Sequence, residues 1–431
     1  MRIRIPYGSS FLPLDAPEGA ELLLSGLHRL QPAAAPEELV RRAMENPVAG
    51  PKLESLAAGK RSAVILCSDH TRPVPSRLLL PPLLRALRRG NPKLEIQLLV
   101  ATGCHRPSTR KELAQKFGED ILAQERLVQH DCADEARLVT LGTLPSGAPL
   151  RINALAAGCD LLLAEGFIEP HFFAGFSGGR KSVLPGVCAR ETVLGNHCAA
   201  FIASPKARAG CLEGNPIHED MEAAARMAKL AYILNVVLDG EKRVAAAFAG
   251  EPLQAHRAGC NFLLPYCRVQ PKRAADIVVS SNGGAPLDQN IYQAVKGLSA
   301  AAAAAAPGAV LVLCASCADG HGGEHFFTAL RDCASPEALY RRILAVPQGQ
   351  TRPDQWQVQI LVKILREHRV IFVSEPAAAP LLAQMKLEYA PTLEEAMARA
   401  YAQKGSGARL CVIPDGVAVA VEPPQEPARE E

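Results

Sequence analysis

Residues 63–73 read AVILCSDHTRP, five apolar residues followed at once by a polar segment that ends in proline. An apolar run that short, with no alternation, is what a strand buried on both faces of a parallel sheet needs. The same grammar returns at 94–107, LEIQLLVATGCHRP, and at 160–182, DLLLAEGFIEPHFFAGFSGGRKS. Amphipathic, helix-like stretches lie between these runs, so the pattern is α/β. After Gln270 it restarts: a strand at Asp276–Ser280, a helix through Tyr292 and the alanine run 300–306 closed by Pro307 and Gly308, and a strand at Ala309–Cys314. Further strands are expected at Val370–Ser374 and Leu410–Pro414, with a helix at Thr392–Gln403. The expected fold is two α/β domains, 1–268 and 269–412, with the active site in the cleft between them. Their boundary falls within 264–274, where Pro265, Pro271 and a basic cluster break the pattern. A Pro/Glu-rich tail, 413–431, follows, its last residues expected to be mobile.

Composition narrows the function classes. The chain has 431 residues, 48% hydrophobic and 21% charged, beyond the size at which one core usually stops growing. A net charge of +3 with no long Lys or Arg block leaves no footprint for nucleic acid or an anionic membrane. The densest early apolar run, 78–84, is cut by Pro81 and Pro82, far short of the roughly 20 apolar residues that span a bilayer. The start, MRIRIPYGSS, lacks the apolar core of a secretion signal. Thirteen scattered cysteines suit a reducing compartment. A soluble cytoplasmic enzyme is expected, without nucleic-acid or membrane partners.

Ligands of open α/β sheets gather beyond the carboxyl ends of strands, which directs attention to the three segments that follow the quoted runs. Each sets chargeable groups in a Pro- or Gly-constrained turn: Asp69, His70, Thr71 and Arg72; His105; and His171 with Lys181. A single loop of this kind is ordinary, whereas three at equivalent places point to a shared site. His105 and His171 are the candidate proton carriers, since imidazole both accepts and donates near neutral pH. Either could instead cap a helix or bond a carbonyl.

Gly175 to Ser182 nearly matches a phosphate-binding G-x-x-x-x-G-K-S loop, but Arg180 stands where the glycine before the lysine belongs, which argues against nucleotide hydrolysis. What remains is a glycine-bounded loop presenting Lys181, an amine suited to covalent attachment. His197, beside Cys198, is a candidate metal ligand or a structural histidine. Gln293 and Lys296 share one face of an expected helix beside Tyr292, able to hold a carboxylate or simply to face water. Trp356 could be core or a wall for a planar ring. Cys314 and Cys317 with His321 and His325 imitate a zinc set, but the cysteines end a strand and the histidines sit in a glycine-rich loop.

At these residues the sequence resembles the nickel-pincer-nucleotide lactate racemase family. The match runs through DHTRPVP at 69–75, ATGCHR at 101–106, EPHFFAGFSGGRK at 169–181, GNH at 195–197, YQAVKG at 292–297, DGHGGE at 319–324 and DQWQ at 354–357. The resemblance implies an isomerase, a racemase or epimerase of small 2-hydroxy acids. Its cofactor would be the nickel-pincer nucleotide, Ni(II) pyridinium-3,5-bisthiocarboxylic acid mononucleotide, made by separate biosynthetic enzymes and held covalently by Lys181. His197 would complete the nickel coordination. Asp69, His70, Thr71, Arg72 and Trp356 would contact the cofactor; Arg72, Tyr292, Gln293 and Lys296 would bind substrate. His105 and His171 would be the paired acid/base residues, acting while C2 hydride leaves and returns through a 2-keto acid. A non-catalytic nickel or cofactor carrier, and a net 2-hydroxy acid dehydrogenase, are the alternatives. Paired histidines speak against the first, and the lack of a G-x-G-x-x-G element speaks against a diffusible nicotinamide in the second.

Overall fold

A computed structural model describes residues 1–424; residues 425–431, where tail mobility was expected, lie outside the described residues. The first sheet runs in the order Val244–Gly250, Leu230–Leu238, Leu161–Phe167, Ser62–Ser68, Glu95–Ala101, Arg126–Gln129. Only Val244–Gly250, at the edge, is antiparallel to its neighbour. Ile65, Leu98 and Leu163 pack into a core on one face, and Val64, Leu66, Leu99 and Leu162 into a core on the other. Two buried faces explain why these strands are apolar without alternation. Pro81 and Pro82 do not end the run they interrupt, for they lie inside the helix Ser76–Gly90. An interior proline costs about 3 kcal/mol. Burying one leucine is worth ~1.5–3 kcal/mol, and this helix buries Leu79, Leu80, Leu83, Leu84 and Leu87, so burial prevails.

The second sheet is wholly parallel, in the order Glu388–Ala390, Arg369–Val373, Ala305–Cys314, Ala275–Ser281, Leu410–Ile413, Glu21–Leu22. The α/β fold in two domains is therefore as expected, but four boundaries differ. The chain's first residues, assigned from sequence to the first domain, join the second: Arg2–Tyr7 and Ser10–Asp15 form a hairpin whose Ile3, Ile5 and Leu14 pack on Ile277, Val279 and Val312. The alanine run leaves its helix, Ile291–Ala304, early, because Ala305 pairs with Ala275 in the sheet, and ladder bonds outweigh alanine's modest helical preference. The tail is structured through its first part, where Ala420–Val421 pairs with Arg268–Val269. Pro265 lies within the helix Pro252–Cys267 rather than in a linker. Among the described residues, no helix is long and apolar enough to cross a membrane.

Each sheet has a point where the chain departs to opposite sides. In the first it lies between Ser62–Ser68 and Leu161–Phe167, in the second between Ala275–Ser281 and Leu410–Ile413. Crevices open at such points, and the segments singled out from sequence follow these strands. The helix Ile291–Ala304 is seated on its sheet through Gly297, whose amide donates to Asn282 Oδ1 at 2.9 Å. A Cβ there would stand 2.6 Å from the Ser281 carbonyl oxygen. Gly297→Ala should thus lower unfolding free energy by about 1–3 kcal/mol through overpacking, although alanine is the better helix former. Equal or greater stability in urea titrations would overturn this account of the seat.

Candidate functional site

The loop after Leu161–Phe167 is built around one buried cation. Arg180 is fully buried and donates to the carbonyls of Phe176 at 2.8 Å and Ala174 at 2.8 Å, and through Nε to His218 Nδ1 at 2.9 Å. His218 reaches Glu222 with Nε2, 3.1 Å away, so the buried charge is relayed to a carboxylate. That contact holds Glu222 down at about 2, and burial pulls Arg180 itself down to about 10. Gly178 and Gly179 take positive φ, and a Cβ on Gly179 would meet His256 at 2.8 Å. The arginine that spoils the phosphate-loop pattern is thus the anchor of a different loop, one that presents Lys181.

Above the anchor, side chains gather around Phe173. Its ring meets His171 edge-on at 4.5 Å and His197 at 5.1 Å, with Lys181 Nζ 6.0 Å from its centre. Trp356 of the second domain closes on His197 at 5.0 Å. Burial and the charges of Arg180, Arg72 and Lys296 push the Lys181 amine well below the ordinary lysine range. Burial and Lys181 lower His197 to about 3. Its Nδ1 is buried and makes no well-formed hydrogen bond among the described residues. The second domain fixes the chain around His197, with Gln348 Nε2 donating to the Gly195 carbonyl at 3.1 Å and Gln359 Nε2 to that of Ala199 at 2.8 Å.

His171 accepts the Ala174 amide on Nδ1 at 3.2 Å, which leaves its proton on Nε2. Burial, then the charges of Lys181, Lys296 and Arg72, depress it well below an ordinary histidine. His105 is bonded the other way, its Nδ1 lying 2.7 Å from Asp69 Oδ2. Asp69 is buried and also accepts the Thr71 hydroxyl at 2.6 Å. Burial would raise that carboxyl, but His105, Thr71 and Arg72 outweigh it and hold Asp69 well below the usual carboxylate range. Lys116 donates to the Arg72 carbonyl at 3.0 Å, fixing the turn. His70 stands apart from the Phe173 group, its Nδ1 bonded to Ser108 Oγ at 2.9 Å.

The second domain supplies the facing wall. Lys296 is lowered to about 8 by burial and Arg72, against the pull of Glu169. Burial raises Glu169 in turn, against Arg72 and Lys296. A cavity of about 100 Å³ between the domains touches Glu169, His171, Phe172, Arg208, Lys296 and Ser299. Tyr292 is raised by burial and by Asp354 beside it. Gln293 lies on the same helix as Tyr292 and Lys296. Phe173, Glu169 and Asp354 had no assigned role in the sequence reading, although the first two sit inside the quoted EPHFF stretch. Their roles come from contacts, which spacing does not encode. The Cys314 and Cys317 thiols are pushed up by burial, and no group of metal-ligating side chains forms there or elsewhere among the described residues.

Comparisons with known proteins agree along the whole chain. The family model for the lactate racemase N-terminal domain matches residues 7–210, and that for the lactate racemase C-terminal domain matches 270–421. The lactate racemase of Lactiplantibacillus plantarum is 48% identical over 422 residues, 97% of this chain and 99% of that protein. That of Thermoanaerobacterium thermosaccharolyticum is 47% identical over 421 residues, again 97% and 99%. The solved lactate racemase apoprotein from the latter organism superposes with a TM-score of 0.94, 47% identity, 98% of this chain and 100% of that one. A protein from Thermotoga maritima, 18% identical with a TM-score of 0.64 over 90% of this chain and 97% of its own, shares the fold alone.

The Arg180 anchor makes a prediction that needs no cofactor. Arg180→Leu leaves the Ala174 and Phe176 carbonyls and His218 without their donor, and breaking a buried charged network costs roughly 3–5 kcal/mol. Arg180→Lys should recover little of this, because one ammonium cannot reach the positions that the guanidinium fork spans. Denaturant midpoints of either variant close to the parent's would mean that the loop is held by something else.

Proposed function

Since this chain belongs to the lactate racemase family and is an isomerase of the racemase kind, we propose that it interconverts the enantiomers of a small 2-hydroxy acid, with lactate as the first candidate. The observation that carries this is the opposite priming of two imidazoles. His105 donates its Nδ1–H to the Asp69 carboxylate, which leaves Nε2 as its basic nitrogen, while His171 has Nδ1 occupied and keeps its proton on Nε2. His105 can take the hydroxyl proton of one enantiomer and hand it back, while the His171 Nε2–H can hydrogen-bond the substrate oxygen from the other side. His171 acts as the base for the other enantiomer only with that nitrogen deprotonated and its proton moved to Nδ1. Asp69 orients His105 and stabilises the imidazolium that forms there.

The remaining residues suit an anionic substrate and an attached cofactor. Lys296 and Gln293 would hold the carboxylate, with Arg72 and Tyr292 beside them, so that the acid stays fixed while its C2 carbonyl turns. Lys181 is a buried amine favoured in its neutral, nucleophilic form, which fits covalent attachment of the nickel-pincer nucleotide. His197, neutral and without a firm partner on Nδ1, fits a nickel ligand, and Trp356 would flank it. Asp69, Thr71 and Arg72 line the same turn; His70, bonded to Ser108, contributes to holding that turn. When bound, the cofactor supplies the acceptor and donor of the C2 hydride. Separate biosynthetic enzymes would load it, and a relative solved as an apoprotein accords with a protein that takes a prosthetic group.

Cofactor-loaded protein given either enantiomer of lactate should reach the same mixture from both sides without accumulating keto acid; no interconversion across a panel of 2-hydroxy acids would defeat the reading. Intact mass should exceed the chain mass in the loaded protein and return to it in Lys181→Ala, and an unchanged mass in active parent protein would remove Lys181 from its role. A pH profile tests the clamp. Lys296, at about 8, is cationic below that pH and neutral above it. With substrate well below saturation, kcat/KM should fall about tenfold per pH unit above that point, while kcat declines less because bound carboxylate retains the ammonium proton. A flat kcat/KM up to about pH 9 would place the clamp elsewhere.

A further inference from the structure

One charged residue lies inside a strand that is otherwise apolar or glycine. Glu165 belongs to Leu161–Phe167, every residue of which is buried, and is itself 1% exposed. Leu161, Leu163 and Phe167 share its face of the strand and pack into the core that the helix Ser76–Gly90 covers. A carboxylate in that row is costly unless its oxygens are met, and both are. Oε1 accepts the Ser68 amide at 2.8 Å and the Ser68 hydroxyl at 3.1 Å, and Oε2 accepts the Ser76 hydroxyl at 3.1 Å. Ser68 is the last residue of its strand and Ser76 the first of its helix. One side chain therefore pins both ends of the turn 69–75, which carries Asp69 and Arg72. Bonds within the turn set its shape but not its aim. The Thr71 amide donates to Asp69 Oδ1 at 3.0 Å and the Arg72 amide to the Asp69 carbonyl at 3.3 Å, and both would travel with the turn wherever it pointed. What Asp69 must meet lies outside it: His105 Nδ1, 2.7 Å away in the loop after Glu95–Ala101. That strand pairs with Ser62–Ser68 on one side, and Leu161–Phe167 pairs with it on the other. The Lys116 ammonium, whose charge favours the ionised Glu165 carboxylate, holds the outer part of the turn through the Arg72 carbonyl at 3.0 Å and the Val74 carbonyl at 3.4 Å.

We propose that Glu165 is a positioning residue of the reaction: by clasping Ser68 and Ser76 it aims Asp69 at His105 and keeps Arg72 at the cleft. It touches neither substrate nor cofactor. Its part in turnover rests on the function proposed above, whereas the clasp on the Asp69–His105 pair does not. Glutamine can stand in for it, because the amide oxygen keeps the two Ser68 donors while the amide nitrogen donates to the Ser76 hydroxyl, which turns to accept. Methionine has a similar length but only a weak acceptor, so the buried Ser68 amide loses its partner. Ser76→Ala leaves the acid in place and frees the far end of the turn alone.

Magnetic resonance of the full chain with isotope-labelled histidine reads the pair without needing turnover. The His105 Nδ1–H resonance, assigned by its loss in His105→Gln, should exchange slowly with solvent in the parent and in Glu165→Gln. Exchange should be at least about tenfold faster in Glu165→Met and about threefold or more in Ser76→Ala, with the amides of Leu161–Phe167 still protected. Parent-like exchange of the ring proton in folded Glu165→Met and Ser76→Ala would overturn the proposal, and where Glu165→Met does not fold, Ser76→Ala decides alone. Equal loss of protection throughout the sheet would overturn it too, by making Glu165 a residue of general stability. In cofactor-loaded protein, kcat/KM for lactate should fall at least about tenfold in Glu165→Met, since ~1 Å of misplacement costs up to ~100-fold, and recover in Glu165→Gln. A parent that does not racemise would defeat the reading of function, and the exchange rates would still decide the clasp.

Discussion

Everything at the site hangs on a guanidinium that has been taken out of water. Burying an arginine costs several kcal/mol unless each of its donors is met, and around Arg180 they are met by the carbonyls of Ala174 and Phe176 and by His218 backed by Glu222. These carbonyls belong to the loop that also holds Phe173, His171 and Lys181, so the donors that satisfy the cation also fix the loop's path. Remove the cation and the strand-to-loop turn keeps its glycines but loses the reason to fold in one way. The rest of the site is set on this floor: the Phe173 ring lies between His171, His197 and Lys181 and keeps three polar groups apart in a space that would otherwise let them bond one another.

The electrostatics follow from that spacing. After burial, Arg72 and Lys296 help to depress Lys181, Arg72 helps to depress Lys296, and all three depress His171, and the acidic group felt by Lys296 is Glu169, itself raised by burial. Basic side chains gathered in a buried space are costly to hold charged in the free protein, and an entering anion would favour their charged forms. A 2-hydroxy acid brings one negative charge and one exchangeable hydroxyl proton. In the proposed function the clamp of Lys296 and Gln293 would answer the first, and the two imidazoles the second. Depressed bases suit both proposed roles: an amine at Lys181 with a lowered proton affinity would bond covalently more readily, and a neutral His197 would ligate without first losing a proton.

The fold was legible where burial writes directly into sequence. AVILC, LEIQLLVA and DLLLAEGF have no polar alternation because both sheet faces are covered, and their positions predicted strands that the structure contains. It was not legible where long-range contacts decide. Nothing in RIRIPY says that it packs beside Ile277 and Val279 more than two hundred residues later, and the alanine run does not announce that Ala305 will find Ala275. For the site, the quoted motifs contain most of the residues that converge on Phe173, since the strand ends place them together. Partners chosen in three dimensions stayed hidden. Asp69 was read as a cofactor contact and is bonded to His105; Arg180 was read as a defect in another motif and is the anchor of this one.

The two domains meet at His197. The helix Arg190–Asn196 ends there, and a helix end has unmet carbonyls that let it fray. Two glutamines from the second domain take the carbonyls at Gly195 and Ala199 on either side, and Trp356 covers the ring. The imidazole thus belongs to one domain by chain and to the other by restraint. Lys181 and His197 both pack on Phe173 within the first domain, so that domain sets their separation, and the second domain holds the segment around His197 in the place that separation requires.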